Sequence, residues 1–286
     1  MSIIKAELVK TLRDRTSVSM MECKRALQET NGDIDAAIDL LRKSGEATAV
    51  KKQARVAAEG LVVINQDESL GHAAILEVNC ETDFVAKNNK LLDFASEVAN
   101  VILATKITDI AKLGQEKLVN GHTIEQSRLM LVTQLGENIV LRRAELIIAA
   151  NGQVLGTYKH GLPAKIASIV CLQSSDVNLA RDIAMHAAAM RPEYLTKADI
   201  PPARYKKEQE IFMEQTRINN SDKPEDILQK IVIGRINKFF KEITLVDQIF
   251  VKDPEFTIDK LLAKHKAKII KMSRLEVGEG IEKRAN

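Results

Sequence analysis

The sequence predicts an α+β protein that is built from several small domains. The first 44 residues carry the apolar spacing of short helices, a strand–loop–helix pattern occurs twice in the middle, and two long helical stretches follow Pro201-Pro202. At 286 residues the chain is long enough for two or three domains with a sizeable core. We place the domains at residues 1–55, 56–145, 146–202 together with 246–286, and 203–245.

The N-terminal region predicts three short helices, the first over about Lys5–Asp14. Ser19 and Glu22 have the spacing of a capping box at the start of the second helix. Asp33 can cap a third helix that runs to about residue 44. Three packed helices of this size fit a compact domain of the ubiquitin-associated type. From Gly45 to about Arg55 we expect a linker.

The middle of the chain contains a weak internal repeat. A strand near Ala74–Asn79 is followed by a loop and a helix near Leu91–Val101. The same order returns with a strand near Ala167–Leu172 and a helix near Leu179–Ala189. Each copy predicts a small sheet covered by a helix, so we expect two related α+β core subdomains.

The segment between the two copies predicts mostly helix over Gly114–Glu137. Two strand-like runs then follow at Arg142–Ala150 and Gln153–Lys159. Because Asn151-Gly152 separates them, they resemble a β-hairpin.

The last third of the chain is strongly helical at Arg204–Ile218 and Glu225–Phe240, and Pro224 opens the second helix. Their facing apolar residues predict an antiparallel helical hairpin that protrudes from the core. The alternative is that the hairpin packs flat on its own subdomain. A short helix at Ile258–Lys264 and a final strand near Lys268–Val277 complete the chain.

Composition excludes several functional classes. Lys and Arg number 42 against 39 Asp and Glu, so the net charge of +3 is too small to indicate a nucleic-acid-binding surface. Aromatic residues make up 3% and Trp is absent, which removes the usual platforms for base stacking. We expect no direct contact with nucleic acid, although Lys51, Lys52 and Arg55 leave an RNA-associated factor as a rival.

The three cysteines are far apart and form no Cys-x-x-Cys pair, so neither a zinc site nor a disulfide framework is indicated. Reduced thiols and the absence of a signal-peptide pattern predict a cytoplasmic protein. No apolar run approaches the length of a membrane span. No P-loop, nucleophile elbow or His-Glu-x-x-His motif occurs, so we expect a protein that is not an enzyme and needs no cofactor.

The most informative segment is Val78–Lys87, which places Phe84 among polar residues at a strand-to-helix corner. Thr82 or Asp83 is placed to cap the next helical turn. A Phe in this position is more often a core anchor than a functional residue. Loops that a rigid scaffold holds at its surface nevertheless often carry function.

Six ordered motifs give the chain a specific resemblance. They are Thr82-Asp83-Phe84-Val85-Ala86-Lys87 after Asn79-Cys80, Met20–Leu27, Asn31–Ile34, Gly136–Ile139, Ile183–His186 and Glu276–Lys283. Together they resemble the bacterial elongation factor Ts family, whose members are guanine-nucleotide exchange factors for elongation factor Tu. The motifs cover nearly the whole chain.

The resemblance implies a role for each residue of the Thr-Asp-Phe-Val motif. Phe84 would be a wedge beside the switch region of elongation factor Tu, and the motif would displace the partner's Mg²⁺. Asp83 would shape the corner, while Thr82 and Val85 would hold the motif in place.

The resemblance also implies further contacts with GDP-bound and nucleotide-free elongation factor Tu. Partner-binding candidates are Lys10, Arg13, Met20, Met21 and His186. Each has a simpler reading: a solvated helix face for the two cations, a core position for one methionine, and a buried hydrogen-bonded imidazole for the histidine.

The resemblance carries one further expectation, and the three-helix N-terminus supports a rival function. The helical hairpin would serve self-association or contact with the partner. The alternative function is an adaptor that binds peptides or ubiquitin-like proteins through its N-terminal three-helix domain.

Overall fold

The structure is a computed structural model that describes residues 4–16, 18–69, 71–219 and 224–282, without the side chains of residue 42 and residues 46–50. The chain divides into two compact units. The first contains Met1–Leu146, His160–Ala167 and Leu275–Asn286, and the second contains Ile147–Lys159 and Ser168–Arg274. Helices and two three-stranded sheets confirm the α+β class. No described helix has the length and apolar character that a membrane span requires.

The three expected N-terminal helices are present as α1 (Ala6–Thr16), α2 (Met20–Glu29) and α3 (Ile34–Lys52). The predicted caps form, since the Ser19 hydroxyl accepts from the Glu22 N–H at 3.3 Å and donates to its carboxylate at 3.0 Å. The Asp33 carboxylate likewise accepts from two N–H groups at the start of α3. The buried core of the bundle includes Val9, Leu12, Cys23, Leu27 and Ala37.

The first sheet has the strand order β1 (Glu59–Asp67), β2 (His72–Cys80) and β3 (Val140–Ile148). β1 and β2 are antiparallel, with Glu59 opposite Cys80. β2 matches the expected strand and is buried along its whole length, as a central strand should be. β1 is a strand that our sequence reading did not identify.

Four further helices of this unit follow β2. They are α4 (Asp83–Ala86), α5 (Asn89–Thr105), α6 (Ile110–Leu113) and α7 (Ile124–Leu135). α5 confirms the expected helix and buries one face, which includes Leu91, Phe94, Ala95, Val98 and Ile102. The prediction of helix over most of Gly114–Glu137 is wrong at its start, because residues 114–123 form turns and a short bridge between Lys117 and Thr123.

The prediction of a linker from Gly45 to about Arg55 is wrong for most of that segment, because α3 remains helical as far as Lys52. The reason is a tertiary contact. Gly45 is buried, and a Cβ added to it would lie 2.7 Å from the Thr133 hydroxyl oxygen in α7. Close packing against α7 therefore outweighs the weak helix propensity of glycine.

The hairpin expected at Asn151-Gly152 is also wrong. β3 pairs with β2, whereas the next strand belongs to the second sheet. Side chains of β3 explain this, because Arg142 and Arg143 bind the buried carboxylate of Glu77 in β2 at 3.0 Å and 2.6 Å. The Gly278 N–H donates to the same carboxylate at 2.8 Å. These ionic hydrogen bonds commit β3 to the first sheet.

The second sheet has the order β4 (Gln153–Gly161), β5 (Ala164–Gln173) and β6 (Lys268–Glu276). α8 (Val177–Met190) follows β5, which confirms the second strand–helix copy. The remaining elements are α9 (Pro202–Asn219), α10 (Glu225–Ile243), α11 (Ile258–Lys264) and 3₁₀ turns at Lys197–Asp199 and Leu245–Asp247. The core of this unit includes Val170, Leu172, Ile183, Leu245, Phe250 and Ile258.

α9 and α10 form the expected antiparallel pair, and Pro224 stands at the N-cap position of α10, so it opens this helix as predicted. The start of α9 meets the end of α10, where the rings of Tyr205 and Phe240 stack with centroids 5.0 Å apart. The end of α9 meets the start of α10 through an ion pair of 2.6 Å between Arg217 and Glu225. Residues 220–223 of the connection lie outside the described residues.

Candidate functional site

The Phe84 corner, which we define as Glu81–Lys87, follows β2 directly. Of the two predicted capping residues, Thr82 is the N-cap of α4, and its hydroxyl accepts from the Val85 N–H at 3.3 Å. Val85 and Ala86 face the core, whereas Phe84 is 81% exposed. The core-anchor reading of Phe84 is therefore wrong, and a large apolar ring stands at the surface on a capped turn.

Two further contacts shape the corner. The thiol of Cys80 donates to the Thr82 carbonyl at 3.1 Å, and burial raises the pKa of Cys80 to about 12, so the group stays a neutral donor. Lys87 donates to the Asp83 carboxylate at 2.7 Å, and this hydrogen bond lowers the Asp83 pKa. At neutral pH the exposed ring is thus flanked by an ionised carboxylate.

Glu137 is a residue of the corner that the sequence reading missed. Its carboxylate accepts hydrogen bonds from the Glu81 and Thr82 N–H groups at 3.0 Å and 2.9 Å, and from the Thr82 hydroxyl at 2.5 Å. Gly136 ends α7 in the left-handed conformation with φ +77° and thereby directs the next residue away from the helix, but this local signal does not indicate which groups Glu137 binds. The sequence indicated the Gly136–Ile139 block only as structural.

The four N-terminal candidates lie on the three-helix bundle and not in the Phe84 corner. Lys10 and Arg13 are exposed on α1. Met20 and Met21 open α2 and are 44% and 76% exposed. Both methionines are thus on the surface, where their flexible thioethers suit contact with a partner.

His186 is buried, which matches the simpler reading of this residue. Its Nδ1 accepts from the Val251 N–H at 3.2 Å, so Nε2 carries the proton and donates to the side-chain oxygen Oε1 of Gln248 at 2.9 Å. Burial lowers the His186 pKa. The neutral ring holds the backbone N–H of Val251, two residues after Ile249, whose side chain is 58% exposed.

The described residues contain no group of three or more His, Cys, Asp or Glu side chains that could hold a metal ion. The candidate site therefore consists of an exposed aromatic ring, its ordered turn and separate exposed side chains on α1 and α2. Such an arrangement suits contact with a macromolecule.

Proteins of a known family match the sequence of this chain over almost its whole length. A family model described as elongation factor TS matches residues 81–279, which include the Phe84 corner and Glu137. Elongation factor Ts of Thioalkalivibrio sulfidiphilus is 48% identical over 281 residues, which cover 98% of this chain and 94% of that protein. Elongation factor Ts of Saccharophagus degradans is 48% identical over 280 residues, with 98% and 93% covered. With a match of this length and a Thr-Asp-Phe-Val corner ordered as described, the chain belongs to the elongation factor Ts family.

Proposed function

We propose that this protein binds elongation factor Tu and promotes the release of its GDP, as a guanine-nucleotide exchange factor of translation elongation in the cytoplasm. The observation that carries the proposal is the 81% exposure of Phe84 on a capped turn in a member of the elongation factor Ts family. An exposed aromatic ring on an ordered turn offers a large apolar area that a partner can cover, as aromatic anchors do at protein interfaces.

The mechanism follows from what Mg²⁺ does in the partner. The ion neutralises phosphate charge and connects the nucleotide to the protein, so its displacement weakens GDP binding. In the proposed complex the Thr82–Val85 segment enters near that ion and Phe84 wedges beside the switch region. Asp83 shapes the corner through its bond to Lys87, and Thr82 caps the turn.

The required free energy shows that Phe84 cannot act alone. Burying one Phe side chain contributes about 1.5–3 kcal/mol. A thousandfold faster release of GDP corresponds to about 4 kcal/mol of differential stabilisation. The partner must therefore be held by a wider interface that favours its nucleotide-free form, and by linkage GDP must weaken the complex equally.

We assign the rest of this interface to the exposed side chains of Lys10, Arg13, Met20 and Met21. His186 contributes indirectly, because its buried ring holds the backbone beside the exposed Ile249. The division into an N-terminal three-helix domain, two core subdomains and a hairpin domain is part of this proposal.

The helical hairpin of α9 and α10 is proposed to serve self-association. Among its described residues, the large apolar side chains that are exposed are Tyr205, Ile211, Ile218, Ile227 and Ile233. Light scattering of the wild type and of an Ile218→Lys variant would test this assignment, since a dimer that uses the hairpin should dissociate in the variant.

The experiment that tests the proposed function measures release of a fluorescent GDP analogue from elongation factor Tu. We expect strong acceleration by the wild type and a smaller, non-zero acceleration by Phe84→Ala. Val119→Ala is the matched control, because Val119 is 97% exposed and lies outside the corner. Absence of acceleration by the wild type would overturn the proposal and favour the adaptor alternative. Equal acceleration by wild type and Phe84→Ala would remove the wedge from the mechanism.

A further inference from the structure

The Phe84 corner is held by the carboxylate of Glu137, which lies 53 residues after Phe84 in the sequence. One oxygen of Glu137 accepts the Glu81 and Thr82 N–H groups, and the other accepts the Thr82 hydroxyl. Hydrogen bonds to an ionised acceptor are about twice as strong as neutral ones. A single side chain thus satisfies three donors of the segment that enters α4.

The loop after α7 also donates a hydrogen bond to the loop after β2. The Glu81 carboxylate accepts from the Asn138 N–H at 2.7 Å. The buried Asn138 side chain in turn donates to the Arg55 carbonyl at 2.9 Å. Because each segment both donates and accepts, the loop after β2 and the loop after α7 form a reciprocal clasp.

The clasp controls Phe84 through the hydroxyl of Thr82. This group donates to Glu137 and accepts from the Val85 N–H, so its contact with Glu137 orients the cap of α4. α4 has only four residues and cannot be stable by itself. Its order, and with it the direction of the exposed Phe84 ring, therefore depends on contacts from outside the turn.

We propose that Glu137 is a positioning residue for nucleotide exchange: it holds the Thr82–Phe84 turn in the conformation that the partner receives. The inference rests on the proposed function. A turn that is ordered before binding avoids the entropy cost of ordering it in the complex, so loss of the clasp should weaken the exchange step. Glu137 acts through Phe84 without contact with the partner.

A double-mutant cycle tests this role. Glu137→Ala should reduce the acceleration of GDP release about tenfold, as expected for the loss of charge-assisted hydrogen bonds. In a Phe84→Ala background the same substitution should change the rate less than about twofold, because the residue through which it acts is gone. An equal loss in both backgrounds, or no loss in either, would overturn the proposal.

The conservative variant Glu137→Gln provides a rescue. Its amide oxygen can accept the two N–H groups and its NH₂ group can donate to the Thr82 hydroxyl. We expect it to retain most of the exchange activity that Glu137→Ala loses. Equal loss in the two variants would show that hydrogen bonding to the corner is not the cause.

Hydrogen–deuterium exchange of the free protein tests the clasp without elongation factor Tu. The Glu81 and Thr82 amides should exchange at least about tenfold faster in Glu137→Ala, while amides in the middle of α5 stay unchanged. Unchanged protection at these two amides would overturn the clasp even if exchange activity falls. If the wild type accelerates no GDP release, the proposed function fails while this measurement still decides the structural role.

Discussion

Replacement of Glu77 by Ala should be among the most destabilising single changes in the first unit. Glu77 is fully buried in β2, and its carboxylate accepts from Arg142 at 3.0 Å, Arg143 at 2.6 Å and the Gly278 N–H at 2.8 Å. The Ala variant would leave two guanidinium groups and one N–H without this acceptor, and the two arginine side chains are only 24% and 32% exposed.

The magnitude follows from the partners that remain. Removing one side of a buried ion pair costs about 3–5 kcal/mol. Here each arginine keeps another acceptor, because Arg142 also binds the Glu279 carbonyl and Arg143 binds the Glu276 carbonyl at 3.0 Å. We therefore expect a loss near the lower limit, about 3 kcal/mol in the free energy of unfolding.

Urea-induced unfolding followed by circular dichroism measures this loss as a lower midpoint. Glu29→Ala is the control, because the Arg25–Glu29 pair is 3.6 Å long with side chains 71% and 55% exposed. That surface pair should contribute less than about 1 kcal/mol. A loss below about 1 kcal/mol for Glu77→Ala would refute the reasoning that this cluster ties β3 to β2.

Four further predictions concern stability and reactivity. Gly234→Ala should raise the free energy of unfolding by about 0.5–1 kcal/mol in a denaturation experiment, because the added methyl group meets open space in α10. Gly45→Ala should lower it through the clash with Thr133, and Thr133→Ala should relieve that clash. The native protein should not react with a thiol reagent at pH 8, since all three cysteines are buried and the pKa of Cys80 is about 12, and unfolding should expose all three thiols. Because burial lowers the His186 pKa, the unfolded chain binds that proton first, so stability should fall as the pH drops below about 6.5, and His186→Gln should show a smaller fall.

Local signals in the sequence were sufficient for several elements. Ser19 and Glu22 mark the start of α2 because their side chains bond within one helical turn. Pro224 marks the start of α10 because its ring restricts the local backbone. These predictions depend on interactions between residues that are close in the chain. The exposed position of Phe84 is different, because its local position favours a core anchor and only the family resemblance indicated a functional surface residue.

The errors occurred where distant residues decide the structure. Gly45 was read as the end of a helix, but packing against Thr133 in α7 keeps the backbone helical. Asn151-Gly152 was read as a hairpin turn, although Glu77 holds the preceding strand in another sheet. Glu137 could not be assigned to the corner because its partners are more than 50 residues away. No pattern of local spacing reports such contacts.

The continuous α3 has a consequence for how a partner would be captured. A flexible linker would let the three-helix bundle search a wide volume, and the second contact would then form at a low effective concentration. Residues 45–52 are instead helical and extend for about 12 Å as one semi-rigid rod. Within the first unit, a partner held at Met20 and Met21, as proposed, would thus meet the Phe84 ring within a restricted volume. The bundle and the corner would therefore act as two contact sites joined by a semi-rigid helix, and not as two sites joined by a flexible linker.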